Sequence, residues 1–419
     1  MVYRSILSVM TAASLLSAAM AAETTQPATA AQSAPADGPQ AAPLPFPIYV
    51  ASRIDGAIQI DGQLTEPAWR QTALGWGLSH GMEPNILCPD ATLFRIGWNN
   101  ENLLISLACY KREIQDDLPE NIWKPQEPEI IDTQAVPRHA RERGVAPPVN
   151  TADVLISHRG RTVTLSFAPP LTDPAQSVKG PPAPPTASVH DSVGSRPLDV
   201  KIEHAYQGGP NDGLWTVEAR VSWEQLGFDQ PAVGQDWALN VYRDIRFFSN
   251  WAFIAWMRDW GKAEYSRYDL VERFGRVLFV AGQADDAVDK LIKETIPRRG
   301  PVRVFTADAF LIAEPNVQIV RQRYGERSEV LKAYAEGIMQ QRGRIGNDLP
   351  YHPFFTEKKP REHLALAARQ LVRLTWAMKE KPPWDDPACT VALISHAIPE
   401  AREGLSAYKK ERLYRGLFE

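Results

Sequence analysis

Between residues 48 and 281, apolar positions either come in short runs or alternate with polar positions, which is typical of β-strands. TLFRIGW and LLISLACY, joined by the turn residues 99–102, predict one hairpin, and DVLISHRGRTVTLSF, with Arg159-Gly160 at its centre, predicts another. Further runs are bounded by Gly, Pro, Asn or Asp: PLDVKIEHAY, LWTVEARVS, WALNVYRDIRF, NWAFIAW and GRVLFV. Roughly nine short strands without alternating helices predict an antiparallel, jelly-roll-like β-sandwich rather than a parallel sheet.

The pattern changes after residue 282, where apolar residues recur at helical spacing, as in DDAVDKLIKETI and REHLALAARQLVRLTWAMKE. The fold class predicted is therefore mainly β, a sandwich over 48–282 followed by an α-helical C-terminal region over 283–419. These helices are expected to pack on each other or on the sandwich. Two Pro-rich stretches, 113–150 and 169–197, predict long loops within the sandwich.

The first residues have the features of an export signal. Arg4 precedes a short apolar stretch, and Ala19–Ala21 give a small-x-small cleavage pattern, so 1–21 are predicted to be a signal peptide. Residues 22–47 are rich in Ala, Pro, Gln and Ser and predict a disordered linker. No later run reaches ~18 apolar residues, so the mature chain is predicted to lack a transmembrane segment and to be periplasmic, cell-surface or secreted.

Composition excludes several functional classes. The net charge of −4 gives no basic field for nucleic acid. The three cysteines, Cys88, Cys109 and Cys389, form no CxxC motif, so zinc, iron–sulfur and covalent haem sites have no support in the sequence. Cys88 and Cys109 flank the first predicted hairpin and are either a disulfide or buried thiols. Twelve tryptophans would suit either a large core or stacking on a ligand.

The stretch AIQIDGQLTEPAWRQT, residues 57–72, opens the predicted sandwich. It predicts a strand ending at Ile60, a turn at Asp61-Gly62, and a helical turn with Thr65 as N-cap and Trp69 packed inward. Its acids are therefore interpreted as framework rather than as a catalytic pair.

The order of these segments resembles the family 9 carbohydrate-binding module. IQIDGQLTEPAWRQT is followed by RIGWNNENLLISLACY, DVLIS with TVTLSF, WTVEARVSWEQLG with PAVGQDWALNVYRDI, and finally RFGRVLFV. The resemblance covers about 48–281 and implies a β-sandwich that binds a polysaccharide or oligosaccharide. Ser222 stands where the family has Pro, and His158 stands in a strand where the family commonly has Glu and Phe.

The resemblance also implies that aromatic side chains stack on the apolar face of a sugar ring while polar groups bond its hydroxyls. The candidate sugar-binding residues are Trp76, Trp251, Trp256, Arg258, Asp259 and Trp260. Trp123 is a further candidate, whereas Trp69 and Trp223 lie in framework motifs and are predicted to be in the core.

The resemblance implies structural calcium, for which Asp61, Glu66 and Asp90 are candidate oxygen donors, although their spacing matches no EF-hand. No other cofactor is predicted.

The favoured function is non-catalytic carbohydrate binding, because neither the HExxH motif nor the P-loop occurs in the sequence. The alternative is a cell-envelope scaffold that keeps the sandwich without sugar binding and contacts a protein partner through its helical C-terminal region. Two further alternatives are a glycan-active enzyme and a noncovalent haem-binding domain, with Met82 or Met257 and His80 or His158 as axial ligands.

Overall fold

The computed structural model describes residues 45–80, 83–87, 91–110, 150–169, 184–208, 214–247, 250–255, 271–282, 285–315, 319–339 and 386–396. The predicted signal peptide and linker lie outside these residues, except for 45–47. So do most of the first Pro-rich stretch, Trp123, and Cys88. Residues 45–419 form one compact unit. None of the helices in the described part of the chain is long and apolar enough to cross a membrane.

Seventeen strands are found in the described residues: β1 (Phe46–Ser52), β2 (Ser79–His80), β3 (Glu83–Leu87), β4 (Thr92–Trp98), β5 (Asn102–Tyr110), β6 (Asn150–His158), β7 (Arg161–Phe167), β8 (Thr186–Asp191), β9 (Gly194–Leu198), β10 (Glu203–Gln207), β11 (Leu214–Ser222), β12 (Asp236–Phe247), β13 (Asn250–Ala255), β14 (Gly275–Val280), β15 (Val302–Phe305), β16 (Ala309–Ala313) and β17 (Val320–Arg323). The helices are a 3-10 turn at Pro67–Gln71, α1 (Trp223–Leu226), α2 (Asp285–Arg299), α3 (Tyr324–Met339) and α4 (387–396).

These strands form two sheets. The larger has the order β17-β16-β15-β1-β14-β12-β6-β7-β8-β9, with β13, β2 and β3 branching from β12. The smaller has the order β10-β11-β5-β4. Trp215 and Val217 of the smaller sheet share one buried cluster with Val154 and Leu239 of the larger sheet. The predicted mainly β sandwich with C-terminal helices is confirmed.

The first predicted hairpin is confirmed as β4 and β5, which pair antiparallel from Thr92 opposite Cys109 to Trp98 opposite Leu103. The side chain of Asn99 closes the turn, because its Oδ1 accepts the backbone N–H of Asn102 at 2.8 Å. Every residue of β4 is buried, so this strand is covered on both faces.

The C-terminal region contains strands that the sequence pattern did not indicate. β15 pairs in parallel with β1, from Val302 opposite Phe46 to Phe305 opposite Tyr49, and β16 and β17 extend the same sheet. These strands have only four or five residues, which is too short for a periodicity to show, so pairing with a distant strand decides their structure. Residues 302–323 are therefore a continuation of the larger sheet.

The second Pro-rich stretch also differs from prediction. It was predicted to be a loop over 169–197, but β8 and β9 form a hairpin in it, and β8 pairs with β7. An ion pair at 2.8 Å between Asp191 of β8 and Arg196 of β9 links the two strands of this hairpin. Pairing with an existing sheet edge satisfies the backbone groups that a free loop would leave to water.

A second apolar cluster lies on the other face of the larger sheet. Ile48 and Val50 of β1 pack there with Val304 of β15 and with Val288 and Ile292 of α2. Helix α2 thus covers the middle of the sheet rather than forming a separate bundle.

Candidate functional site

The opening stretch differs in two details from the prediction. Residues 58–60 are not a strand; their backbone is held by a side chain instead, since Arg220 Nη2 donates to the Ile58 carbonyl at 2.8 Å. The N-cap of the 3-10 turn is Glu66 rather than Thr65, and no side chain caps it. Pro67 at the first position of the turn explains this start, because its fixed φ suits a helix and it has no N–H to satisfy.

The turn at Asp61-Gly62 requires glycine. Gly62 has φ of +82°, and a Cβ there would lie 2.9 Å from the Tyr206 carbonyl carbon. The turn therefore sits directly against the backbone of β10.

Glu218 of β11 is the residue that holds this turn in place. Its side chain is fully buried, and Oε2 accepts the backbone N–H groups of Asp61 at 3.1 Å and Gly62 at 2.9 Å. Its Oε1 accepts the indole N–H of Trp69 at 2.7 Å. The prediction that Trp69 is a core residue is confirmed, since the side chain is fully buried.

Three carboxyl groups meet at this point. One oxygen each from Asp61, Glu66 and Glu218 lies within 4.8 Å of the others. Burial, and to a smaller extent the charge of Glu66, raise the pKa of Glu218 from 4.5 to about 7, against the lowering effect of its N–H donors. At neutral pH, Glu218 is therefore close to the midpoint of its titration.

The cluster also meets the chemical requirement for a hard cation. Glu66 Oε2 is buried and has no hydrogen-bond partner, and carboxylate oxygens are the ligands that calcium takes. Asp61 and Glu66 would hold the ion from the turn and Glu218 from β11, tying the opening segment to the smaller sheet. Asp90, the other predicted donor, lies outside the described residues.

We expect the stability of the metal-free chain to fall as pH rises from about 4.5 to about 7. Because the pKa of Glu218 is raised in the folded state, its proton stabilises the fold fully below the unfolded pKa, and this contribution is lost through the folded pKa. The loss should be about 2–3 kcal/mol, measured by urea unfolding in a chelator. Glu66→Gln removes a negative charge that raises the pKa of Glu218, so the fall in stability should end at a lower pH. A free energy of unfolding that is constant from pH 4.5 to 7 would contradict the prediction.

The predicted sugar-binding residues do not form one described cluster. Trp76 is only 8% exposed and packs edge-on against Phe305 at 5.6 Å and Phe310 at 5.8 Å between ring centroids. Trp251 lies on β13, opposite Arg246 of β12 in the register. The remaining predicted residues, Trp256, Arg258, Asp259 and Trp260, lie outside the described residues.

The residues considered for haem form no axial pair within the described part of the chain. The His158 ring stacks on Trp237 with centroids 4.6 Å apart, and its Nε2 is 3.2 Å from the amide nitrogen of Gln235. Burial lowers the pKa of His158. His80 lies on β2, and the two methionines, Met82 and Met257, are not described.

Glu218 is the residue that sequence reasoning missed. The alternation in LWTVEARVS gives no signal of its burial, because Glu218 falls on the polar face with Thr216 and Arg220, opposite the apolar face. A buried acid in that position needs nearby donors, and the donors come from a segment more than 150 residues earlier.

Comparisons with known proteins give structural matches alone. No family model matches the chain, and no curated protein matches it. A family 9 carbohydrate-binding module from Caldicellulosiruptor kristjanssonii, in complex with cellotriose, has 11% identity and a TM-score of 0.31, covering 57% of this chain and 96% of that one. The chain is similar to family 9 carbohydrate-binding modules.

Two further matches have comparable scores. The same kind of module from the same organism in complex with glucose has 12% identity and a TM-score of 0.31, covering 57% of this chain and 97% of that one. A provisionally assigned carbohydrate-binding protein from Bacteroides uniformis has 9% identity and a TM-score of 0.36, covering 56% and 99%.

Proposed function

We propose that this chain is an exported, non-catalytic carbohydrate-binding protein. One observation supports the proposal above the others: apart from the opening segment, the segments that resemble the family motifs are strands of two sheets that share one buried cluster. RIGWNNENLLISLACY lies on β4 and β5, DVLIS on β6, WTVEARVS on β11, and WALNVYRDI on β12. Export rests on the signal pattern of residues 1–21.

The proposed sugar contacts are Trp251, Trp256 and Trp260, with Arg258 and Asp259 bonding the sugar hydroxyls. The C–H face of a pyranose stacks on indole, and charged groups give strong bonds to the hydroxyls at the rim. Of these residues, Trp251 lies on β13, opposite Arg246 of β12, the longest described strand. We leave Trp76 out of the contact, because a ring that is 8% exposed offers no face to a sugar.

We further propose a structural calcium ion at Asp61, Glu66 and Glu218. Calcium would neutralise carboxylates that otherwise repel each other, and it would supply the missing partner of Glu66 Oε2. Raised thermal stability in calcium, lost in Glu66→Gln, is the expected sign of binding.

Replacing Trp256 or Trp260 by alanine is expected to weaken glycan binding by about tenfold, because a stacked ring contributes on the order of 1 kcal/mol or more. The measurement is affinity electrophoresis and titration calorimetry of the full chain against xylans, glucans, mannans and pectins. Tyr334→Ala on α3 is a matched control, since this aromatic side chain is 44% exposed and lies outside the proposed contact.

A flat response of the full chain across all four polysaccharide classes would overturn the proposal. Release of reducing ends from any of them would contradict the non-catalytic part alone.

A further inference from the structure

The short segment of residues 75–80 connects three parts of the molecule through its backbone. Gly75 exchanges two backbone hydrogen bonds with Phe94 of β4, at 2.8 Å and 3.0 Å. At the other end of the segment, the two residues of β2 pair with the last two residues of β13. Gly77 lies between these contacts, and its backbone is bound by the C-terminal region.

Both polar groups of the Gly77 backbone have a partner in that region. The N–H donates to Nε2 of His396, the last described residue of α4, at 3.1 Å. The carbonyl accepts a hydrogen bond from Nη2 of Arg303 on β15 at 2.8 Å. Gly77 has φ of +84°, and a Cβ there would collide with Nη1 of Arg303, so this close approach requires glycine.

The His396 ring is held as a fixed acceptor. It is 2% exposed and packs edge-on against Trp76, with the ring centroids 6.0 Å apart. Nε2 can accept a hydrogen bond only in the neutral ring that carries its proton on Nδ1. An apolar side chain in place of His396 would leave the buried N–H of Gly77 unsatisfied, a loss that shifts an equilibrium by about tenfold or more.

β2 lies next to the strand that leads into the proposed sugar contacts. Within the described part of the chain, only β12 and β2 pair with β13. The pairing with β2 lies at the end of β13, where Ala255 is opposite Ser79. The next residue along the chain is Trp256, the first of the proposed contacts that follow this strand. A displacement of Gly77 would therefore displace the strand end from which those contacts begin.

We propose that His396 is a positioning residue for glycan binding. It holds Gly77, Gly77 fixes the place of β2, and β2 fixes the end of β13. Arg303 holds the same residue by its carbonyl, and its guanidinium lies 5.6 Å from the centroid of the Phe305 ring. This role rests on the proposed carbohydrate binding, and it gives the C-terminal region, which lies outside the family-like part of the chain, a part in that binding.

The test compares His396→Leu with His396→Gln in the full chain. Leucine has no acceptor, so the amides of residues 75–80 and 250–255 should exchange hydrogen about tenfold faster. Glycan affinity, measured by titration calorimetry, should fall about threefold or more, because fewer molecules hold the contact in place. Glutamine can accept the same N–H and should restore both values. Val391→Ala is the matched control, since it removes buried methyl groups from the same helix and leaves the hydrogen bond in place.

Faster exchange and weaker binding in His396→Leu, restored by glutamine and absent in Val391→Ala, support the positioning role. Binding that is unchanged in His396→Leu, equally weakened in Val391→Ala, or not restored by glutamine overturns this role, while the proposed function stands. If the wild-type chain binds no glycan, the proposed function fails, and hydrogen exchange alone decides whether His396 positions β13.

A measurement on the wild type covers the case in which His396→Leu does not fold. Hydrogen exchange at increasing urea concentration should show Gly77, β2 and the end of β13 opening as one unit. Opening of β13 independently of Gly77 overturns the positioning role.

Discussion

Replacing Asp386 by alanine is expected to lower the free energy of unfolding by about 3–5 kcal/mol. The carboxylate of Asp386 forms an ion pair with Arg95 of β4, whose side chain is only 1% exposed. The other guanidinium nitrogen, Nη1, donates to the carbonyls of Trp69 at 2.8 Å and Thr72 at 2.7 Å. Without Asp386, the buried charge of Arg95 loses the carboxylate that it pairs with, which is the costly way to break such a pair.

Asp386 has a second role that adds to this effect. Its Oδ1 accepts the backbone N–H of Cys389 at 3.0 Å, so it caps the start of α4. Loss of a cap typically costs about 1 kcal/mol. The pair therefore joins the C-terminal helix to β4 both electrostatically and by fixing where the helix begins.

The measurement is urea unfolding, with Asp285→Ala as the matched control. Asp285 pairs with Arg321 at 2.9 Å, but both side chains are well exposed, so its removal should cost less than about 1 kcal/mol. The double variant Arg95→Met/Asp386→Leu should recover much of the loss, because no charge is left buried. Equal effects of Asp386→Ala and Asp285→Ala would show that Arg95 is not held as described.

The sandwich could be predicted because its signals are local. The β4–β5 hairpin is specified by two apolar runs and by Asn99, whose side chain closes the turn within three residues. Trp69 could be assigned to the core because the opening motif places it two residues after Pro67, in a framework segment. Such features need no information from the rest of the chain.

The contacts that join the two ends of the chain could not be predicted. Gly77 donates its N–H to His396 Nε2 at 3.1 Å, a pair separated by 319 positions. Arg303 donates to the Gly77 carbonyl at 2.8 Å from β15, a strand too short to show a period. Long-range pairing of this kind is decided by packing, which a single sequence does not display.

The candidate site likewise combines local features that the sequence shows with long-range contacts that it does not show. The turn at Asp61-Gly62 and the acid Glu66 are visible in the opening stretch, so calcium donors could be proposed there. Glu218, which binds this turn, lies on a strand 156 residues from Gly62.

A chain consisting of residues 45–282 is expected not to fold cooperatively. It keeps the part that resembles the carbohydrate-binding family, but it loses β15, which pairs with β1. It also loses the apolar side chains that cover the larger sheet: Val288, Leu291, Ile292, Val302, Val304, Leu311 and Ala313. At about 1.5–3 kcal/mol for each large buried side chain, the loss is comparable with the total stability of about 5–15 kcal/mol.

The buried cluster that the two sheets share would lose contacts as well. Trp76 would lose Phe305, Phe310 and His396 as neighbours, and Arg95 would lose Asp386. Both an aromatic ring and a buried charge would then be left without the groups that now cover them. The shortened chain should therefore expose apolar surface and associate.

Thermal unfolding by circular dichroism and size-exclusion chromatography measure this directly. The control is a chain of residues 45–419, which keeps every described residue and should unfold in one transition. Adding residues 283–419 as a separate polypeptide should restore part of the folded signal, because the contacts that matter are noncovalent. A monomeric 45–282 chain with a sharp transition near that of the control would mean that the family-like part is an independent domain. Glycan-binding tests would then be sound on that part alone; otherwise they require the full chain.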